Sequence, residues 1–246
     1  MPEVEAELVR RLERGEEVVL ATVVRVDGQP PSRPGAKTLL TREATLAGTL
    51  GCSEFDSAAL ADGPALLDAG EPRLATYRHD LGSVEVYLEP YLAQPALVVV
   101  SATPVATHLL PWASEVGFRT VLVEPRSERL QEGAWDALAD TVLDSEAALD
   151  VPGELFVVCT DHDAPDLVEL LAGLLRRGPR YVGVMGSRRH TGHHLEALRA
   201  RGLPEAEVAR IESPVGLSIG SRTPAEIAVS ILAGLIAVRR GTPSPW

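Results

Sequence analysis

Residues 96–101 read Ala-Leu-Val-Val-Val-Ser, and this apolar run decides the fold of the C-terminal part of the chain. Three more runs of the same kind follow it, at residues 119–123, 155–160 and 181–184. Continuous apolar strands that alternate with helical segments are typical of a parallel sheet buried on both faces. The alternation therefore predicts a doubly wound parallel sheet.

The first third of the chain has a different pattern. Residues 17–26 form a β-branched run that stops at a turn, Asp27-Gly28. The same reasoning predicts one helix at 55–69 and further strands at 36–41, 45–50, 73–78 and 83–88. The break Leu-Ala-Gln-Pro at 92–95 separates the two patterns. We predict two domains: a small β-rich α+β domain over residues 1–92, and a Rossmann-like doubly wound domain over residues 93–246.

Composition narrows the class of protein. The 246 residues carry 23 basic and 35 acidic side chains, for a net charge of −12, which disfavours nucleic-acid and anionic membrane partners. The longest apolar run, 227–238, is too short to cross a bilayer and is interpreted as a buried helix. No basic-then-apolar leader is visible, and the two cysteines form no CxxC pair. We expect a cytoplasmic protein with reduced thiols, Cys159 being a core residue.

Ligands of doubly wound sheets bind beyond the carboxyl ends of the strands. At the end of the first strand, Ser101 and Thr103 occupy the positions of two glycines that dinucleotide-binding turns use, so NAD(P) binding is disfavoured. Glu124 ends the second strand, where an acidic ribose ligand would lie; the alternative is a solvated carboxylate. An NAD(P)-dependent oxidoreductase is therefore kept as an alternative function.

The third strand is followed by Asp161 and His162. Pro165 suits the first position of a helix, and Asp163 or Ala164 suits its cap, which accounts for part of this acidity. His162 among carboxylates is a candidate proton carrier or metal ligand, and the alternative is a purely structural side chain.

The fourth strand leads into Gly186, Ser187, Arg188 and Arg189 at the start of a helix. A glycine turn, a capping serine and two cations at a helix N-terminus are typical of an anion site. The alternative is that the two arginines only solvate the helix start.

The last helix is preceded by a loop that contains Gly216 and Gly220. Thr223, Pro224 and Glu226 have the spacing of a capping box with proline at the first helical position. Capping explains those three residues, whereas the two glycines need a positive φ or a close contact to explain them.

In the N-terminal region, Gly51 and Cys52 follow a predicted strand and precede a predicted helix. A thiol near a helix N-terminus has a lowered pKa, and its thiolate attacks sulfur or ligates a soft metal. The alternative is an inert thiol. Arg33 and Lys37 add two cations in a neighbouring loop.

Together these segments resemble the xanthine dehydrogenase accessory family, also called the XdhC/CoxI family. The resemblance spans nearly the whole chain and lies in residues 21–24, 33–36, 48–54, 181–189, 214–220 and 223–231. It implies a chaperone rather than an enzyme. Such a protein holds molybdenum cofactor, aids exchange of an oxo ligand for sulfur, and delivers the cofactor to an apo molybdenum hydroxylase.

The resemblance also implies roles for residues. Cys52 would bind molybdenum or carry persulfide sulfur, and residues 186–189 would hold the phosphate of the pterin (molybdopterin). Cys52 and His162 are the candidate catalytic residues, Cys52 is the candidate metal ligand, and the candidate cofactor-binding residues are Arg33, Gly51, Cys52, Gly186, Ser187, Arg188, Arg189, Gly216 and Gly220. The implied partners are the hydroxylase apoenzyme, a separate cysteine desulfurase and a second copy of the chain in a homodimer.

Three segments depart from the family pattern. The glycine-rich G-A-G turn is Ser-Ala-Thr at 101–103, the G-G-G-C turn is shorter before Cys52, and T-H-D is Thr-Asp-His at 160–162. A non-catalytic interaction subunit that has lost cofactor affinity is therefore a further alternative.

Overall fold

The computed structural model describes residues 2–242, with the backbone alone for Pro2 and Arg188. The chain divides into two compact units, one ending at Ala93 and the other beginning at Gln94. Each unit contains its own sheet, antiparallel in the first and parallel in the second.

The N-terminal unit is a five-stranded antiparallel sheet in the order β3-β2-β1-β5-β4. Its strands are β1 (Val18–Gly28), β2 (Lys37–Leu40), β3 (Thr45–Gly48), β4 (Arg73–His79) and β5 (Gly82–Tyr91), and its helices are α1 (Pro2–Glu13) and α2 (Ser53–Ala69). Side chains alternate along β1, so Val19 and Ala21 pack into the core that Phe55 of α2 completes. Val18 and Leu20 face the other way and pack with Val4 of α1. Both faces of the sheet are thus covered.

The C-terminal unit is a six-stranded parallel sheet in the order β11-β10-β9-β6-β7-β8. Its strands are β6 (Ala96–Val100), β7 (Arg119–Val123), β8 (Thr141–Leu143), β9 (Leu155–Cys159), β10 (Tyr181–Val184) and β11 (Ile211–Glu212). Numbered within the unit, this is the order 3-2-1-4-5-6 of the doubly wound dinucleotide-binding sheet, and the direction of winding reverses between β6 and β9. The predicted fold class is confirmed.

Two apolar layers cover this sheet. Leu97 and Val99 of β6 face one layer, and Val98 and Val100 face the other. All four side chains are fully buried, as the continuous apolar run predicts. The helices are α3 (Ala106–Glu115), α4 (Ser127–Gln131), α5 (Leu167–Leu175), α6 (Arg188–Ala200), α7 (Glu205–Val208) and α8 (Pro224–Arg239), with short 3-10 turns at Trp135–Ala137 and Glu146–Ala148.

The predicted start of α5 is wrong. The helix begins at Leu167, and Asp166, in the left-handed conformation at φ 57°, is its N-cap. The carboxylate of Asp161 accepts a hydrogen bond from the amide of Asp163 at 3.1 Å, which holds this segment in a turn. Pro165 therefore lies before the helix and not in its first turn.

The last helix agrees with its sequence pattern. Thr223 accepts a hydrogen bond from the amide of Glu226, and the Glu226 carboxylate accepts one from the amide of Thr223, which completes the predicted capping box. Ala228 and Ile231 are fully buried. In the part of the chain that the structure describes, no helix is long and apolar enough to cross a membrane.

Candidate functional site

Cys52 occupies the N-cap position of α2 in an extended conformation, with φ −150°. The preceding Gly51 has φ +125°, a conformation that side chains rarely adopt. A Cβ at Gly51 would also collide with the Pro31 carbonyl and lie 2.8 Å from the Cα of Ser32. The turn that presents Cys52 therefore requires glycine and packs tightly against the loop around Ser32.

A cavity of about 430 Å³ opens beside this turn. It brings together Arg33 and Gly51, two of the predicted cofactor-binding residues, and Lys37. The remaining lining residues are Val4, Pro31, Ser32, Ala36, Gly48 and Thr49. Arg33 is exposed, whereas the Nζ of Lys37 is 2.9 Å from Oε1 of Glu5. Two cations next to a glycine turn suit an anionic ligand in this cavity.

The expectation that the pKa of Cys52 is lowered is wrong. Burial raises the pKa of the thiol, and the neighbouring Glu54 carboxylate raises it further. The backbone of Phe55 and Glu54 in the first turn of α2 lowers the pKa of the thiol, but this effect does not outweigh burial. Cys52 is thus a protonated thiol at neutral pH and must lose its proton when it ligates a metal.

Two side chains that the sequence analysis did not single out lie next to Cys52. The sulfur of Cys52, a carboxylate oxygen of Glu54 and a ring nitrogen of His79 all lie within 4.8 Å of one another. Glu54 lies in the first turn of α2, and the spacing Cys-x-Glu is the signal that could have found it. His79 ends β4, and only the fold brings it to the start of α2.

In the C-terminal unit, Gly186, Ser187 and Arg189 lie where β10 leads into α6. Gly186 has φ +120°, and a Cβ there would lie 3.1 Å from the ring of His162. Ser187 is the N-cap of α6, as predicted, but its side chain makes no capping hydrogen bond. The His190 amide donates to the Ser187 carbonyl at 2.8 Å, and the amides that begin a helix have no carbonyl partner one turn earlier, so the start of α6 offers donors suited to an anion. The side chain of Arg188 lies outside the described residues.

His162 lies next to Gly186. Its ring stacks on that of His190, with centroids 5.6 Å apart, and its Nε2 is 3.6 Å from Oδ2 of Asp163. A cavity of about 450 Å³ is lined by His162, Asp163, Arg189, His190 and His193. The structure therefore brings the predicted His162 together with Gly186 and Arg189.

Glu124 is neither a ribose ligand nor a solvated carboxylate. It is fully buried, its Oε2 accepts a hydrogen bond from the amide of Ala102 at 2.9 Å, and both oxygens accept hydrogen bonds from Arg126. Burial opposes ionisation of Glu124, but the hydrogen bonds from Arg126 and Ala102 outweigh it and lower the pKa. Glu124 therefore joins the ends of β6 and β7.

The winding reversal between β6 and β9 is bridged by hydroxyl groups. Thr160 Oγ1 donates to the carbonyls of Val100 and Ser101, and Thr103 Oγ1 donates to Thr160 Oγ1 at 2.9 Å. Ser101 itself is fully buried with φ +83°. A dinucleotide would need the space of these side chains and the carboxylate of Glu124, and the fold uses both internally.

The two glycines before α8 have different surroundings. Gly216 has φ +98°, and a Cβ there would press against Ser230 and Ile231 of α8. Gly220 has φ +76° with open space around it. Close packing on α8 explains Gly216, and backbone conformation explains Gly220. Neither lines the two cavities described above.

Two family models match the chain. The model described as the XdhC and CoxI family matches residues 11–78, and the one described as the XdhC Rossmann domain matches residues 97–235. The chain belongs to the XdhC and CoxI family.

Three curated proteins illustrate the likeness. The chain is 27% identical to the uncharacterized protein YqeB of Escherichia coli, over 91% of this chain and 44% of the relative. It is 26% identical to a probable xanthine dehydrogenase subunit of Bacillus subtilis, over 64% and 47% of the two chains. It is 23% identical to the molybdenum cofactor insertion chaperone PaoD of E. coli, over 94% of this chain and 86% of PaoD.

The chain thus spans about half the length of the first two of these relatives. Among solved structures, a xanthine dehydrogenase from Bacillus halodurans matches with a TM-score of 0.53 and 22% identity, over 99% of this chain and 97% of that one. This likeness supports the fold of the XdhC and CoxI family member described here.

Proposed function

We propose that this chain is an accessory protein that binds molybdenum cofactor and supports its insertion into a molybdenum hydroxylase of the xanthine dehydrogenase type. The observation that carries the proposal is the cavity lined by Arg33, Lys37 and Gly51, the residue that precedes Cys52 in the chain, although Cys52 itself is not among the lining residues. Family membership and the relative named as a molybdenum cofactor insertion chaperone support it.

The proposed cofactor carries an anionic phosphate at one end and molybdenum with sulfur ligands at the other. The guanidinium of Arg33 and the ammonium of Lys37 suit the phosphate. Cys52 offers a soft ligand, which suits molybdenum or a transferred sulfur atom. Because the Cys52 thiol is protonated at neutral pH, ligation releases one proton.

The start of α6 is a second candidate for anion binding. Its first-turn amides and the exposed Arg189 favour negative charge, and His162 lines the adjacent cavity. We propose that Gly186, Ser187 and Arg189 bind a phosphate group there. Arg188 is included in this proposal because of its position in the sequence, since its side chain lies outside the described residues.

The partner proteins, the oligomeric state and the cellular location are proposals as well. We propose a molybdenum hydroxylase apoenzyme as the client, a separate cysteine desulfurase as the source of sulfur, and a homodimeric, cytoplasmic accessory protein. The relative from B. subtilis, named as a probable xanthine dehydrogenase component, supports a client of this class.

The test is the pterin and metal content of the protein purified from a host that makes molybdenum cofactor. Pterin is measured by fluorescence after oxidative release, and molybdenum by mass spectrometry. We expect near-stoichiometric pterin and molybdenum in the wild type, and less of both in Cys52→Ala and Arg33→Ala. Arg25→Ala is the matched control, because Arg25 is exposed and pairs with Glu85 on the strand surface.

Other outcomes have definite meanings. Pterin that persists unchanged in Cys52→Ala would remove the thiol from the proposal. A folded wild type without pterin, beside a loaded control carrier, would favour a non-catalytic interaction protein. A rise in melting temperature with millimolar NAD(P) would favour the oxidoreductase alternative.

A further inference from the structure

Cys52, Glu54 and His79 form a cluster of three different metal-ligating groups. The sulfur, the carboxylate oxygen and the ring nitrogen lie within 4.8 Å of one another. The groups come from two elements: Cys52 is the N-cap residue of α2, Glu54 lies in the first turn of that helix, and His79 ends β4. The His79 ring also packs against Phe55, with centroids 5.9 Å apart.

We propose that these three side chains form a binding site for a borderline divalent cation of the Zn²⁺ class. Thiolate sulfur, imidazole nitrogen and carboxylate oxygen are the three ligand types of protein zinc sites. Ca²⁺ and Mg²⁺ are disfavoured because they prefer sets made of oxygen ligands. The site shares Cys52 with the proposed cofactor site but does not depend on that function.

The geometry needs only local adjustment. Zinc bonds of about 2.0–2.3 Å in a tetrahedral site place ligand atoms roughly 3.3–3.8 Å apart. Rotation about side-chain bonds covers the difference from 4.8 Å, since Cys52 and His79 are only partly buried and Glu54 is exposed. Three protein ligands leave a fourth position for water or an incoming ligand, as in catalytic zinc sites.

The charges of the site match a divalent cation. Thiolate and carboxylate supply two negative charges, and a neutral imidazole supplies none. The S–H bond of Cys52 breaks as the sulfur–metal bond forms, and its proton goes to solvent, so each ion releases one proton. No electron is transferred.

Metal binding by His79 requires the loss of one hydrogen bond. Its Nδ1 accepts a hydrogen bond from the Leu81 amide at 3.1 Å, so Nε2 carries the proton of the neutral ring. Neither nitrogen has a free lone pair, and metal binding must release the Leu81 hydrogen bond. Leu81 lies in the turn between β4 and β5 and is 60% exposed, so water can replace that bond.

The test is a titration of the full chain with Co²⁺, which replaces Zn²⁺ and is visible by absorption. We expect one equivalent to bind with a near-ultraviolet thiolate-to-cobalt band, which Zn²⁺ then displaces. The chain has two cysteines and Cys159 is fully buried in β9, so the band reports Cys52. Cobalt bound by the histidines around His162 would give no such band.

The variants sharpen the result. Cys52→Ser should abolish the band, and Glu54→Gln and His79→Gln should each weaken Co²⁺ binding by more than about tenfold, the loss expected even for an outer-shell partner. His108→Gln is the matched control, because His108 packs against Trp112 of α3 in the other unit. Circular dichroism checks that each variant is folded.

Two results would overturn the proposal. The first is a wild type that shows no thiolate-to-cobalt band, which needs no variant to interpret. The second is a band of unchanged affinity in both Glu54→Gln and His79→Gln, which would assign the metal to Cys52 alone. Cobalt binding in a protein that carries no pterin would separate this site from the proposed chaperone function.

Discussion

Arg126 donates hydrogen bonds to both carboxylate oxygens of Glu124, from Nε to Oε1 at 2.7 Å and from Nη2 to Oε2 at 2.8 Å. Its Nη1 donates to Oδ2 of Asp161 at 3.0 Å. Glu124 follows β7 and Asp161 lies beyond β9, so one guanidinium connects the ends of two strands that flank β6. This arrangement fixes the loops at the winding reversal.

Arg126→Met should therefore destabilise the protein by about 3–5 kcal/mol, because it leaves the buried Glu124 carboxylate without its cation. Urea unfolding measures the change. Arg25→Met is the control, since the exposed Arg25–Glu85 pair contributes about 0–1 kcal/mol. Equal effects of the two substitutions would contradict the role given to Arg126.

The lowered pKa of Glu124 predicts a dependence of stability on pH. The folded state keeps Glu124 ionised below the ordinary value of 4.5, so its contribution is complete above that pH and is lost as the pH falls through the folded value. Glu124→Gln should be less stable at neutral pH and should lose less stability on acidification. Unfolding free energies between about pH 3 and 6 test this. A slope unchanged in the variant would assign the acid sensitivity to other carboxylates.

Ser101→Gly should stabilise the protein by up to about 1 kcal/mol. Ser101 has φ +83°, which strains a residue with a side chain, and its buried hydroxyl oxygen has no hydrogen-bond partner in the described part of the chain. Thermal unfolding measures the effect. Ser145→Gly should act in the opposite direction, because Ser145 has φ −150° and accepts a hydrogen bond from Ala147. A lower melting temperature for Ser101→Gly would show that the hydroxyl has a role that outweighs the strain.

Thr223→Ala should cost about 1 kcal/mol through loss of the α8 capping box. Ser187→Ala at the equivalent position of α6 should change stability by less than about 0.5 kcal/mol, because its side chain makes no capping hydrogen bond. Parallel urea titrations compare the two. A large effect of Ser187→Ala would indicate a capping bond that forms in solution.

His194 predicts a second loss of stability, at mildly acidic pH. Burial lowers its pKa, and its Nδ1 is buried without a hydrogen-bond partner among the described residues, so a proton there has no acceptor. Its Nε2 is 2.8 Å from the carbonyl oxygen of His162, and His162, His193 and Asp163 are its titratable neighbours. The folded state thus binds the proton less readily than the unfolded chain. Stability is complete above the ordinary value of 6.5 and falls as the pH drops through the folded value. His194→Gln should flatten this part of the unfolding profile, and an unchanged profile would contradict it.

The sequence predicts the strands that are fully buried and misses the short ones. Runs such as Leu155–Cys159 can be recognised because every residue faces an apolar layer. β8 and β11 contain three and two residues, Thr-Val-Leu and Ile-Glu, and these segments are too short to carry a periodic pattern. Their existence depends on the neighbouring strands β7 and β10, which offer unpaired edges.

In the candidate site, features set by neighbouring residues in the sequence could be predicted, and features set by tertiary packing could not. The turn at Gly51 and the helix start at Gly186 could be predicted, since glycine conformation is a local property. The approach of His79 to Cys52 could not, because it depends on the pairing of β4 with β5 and the packing of α2 against them. The predicted direction of the Cys52 pKa shift is wrong because proximity to a helix N-terminus says nothing about burial.

The pairing of β6 with β9 sets an order of events during synthesis. Val98 pairs with Val157, so the central strand leaves the ribosome about 60 residues before one of its two neighbours. Because synthesis adds roughly 5–20 residues per second, one edge of the five-residue strand β6 remains unpaired for several seconds. During this time the unpaired edge of β6 can bind a chaperone or another nascent chain. In the finished sheet, β6 lies at the centre and both of its edges are paired.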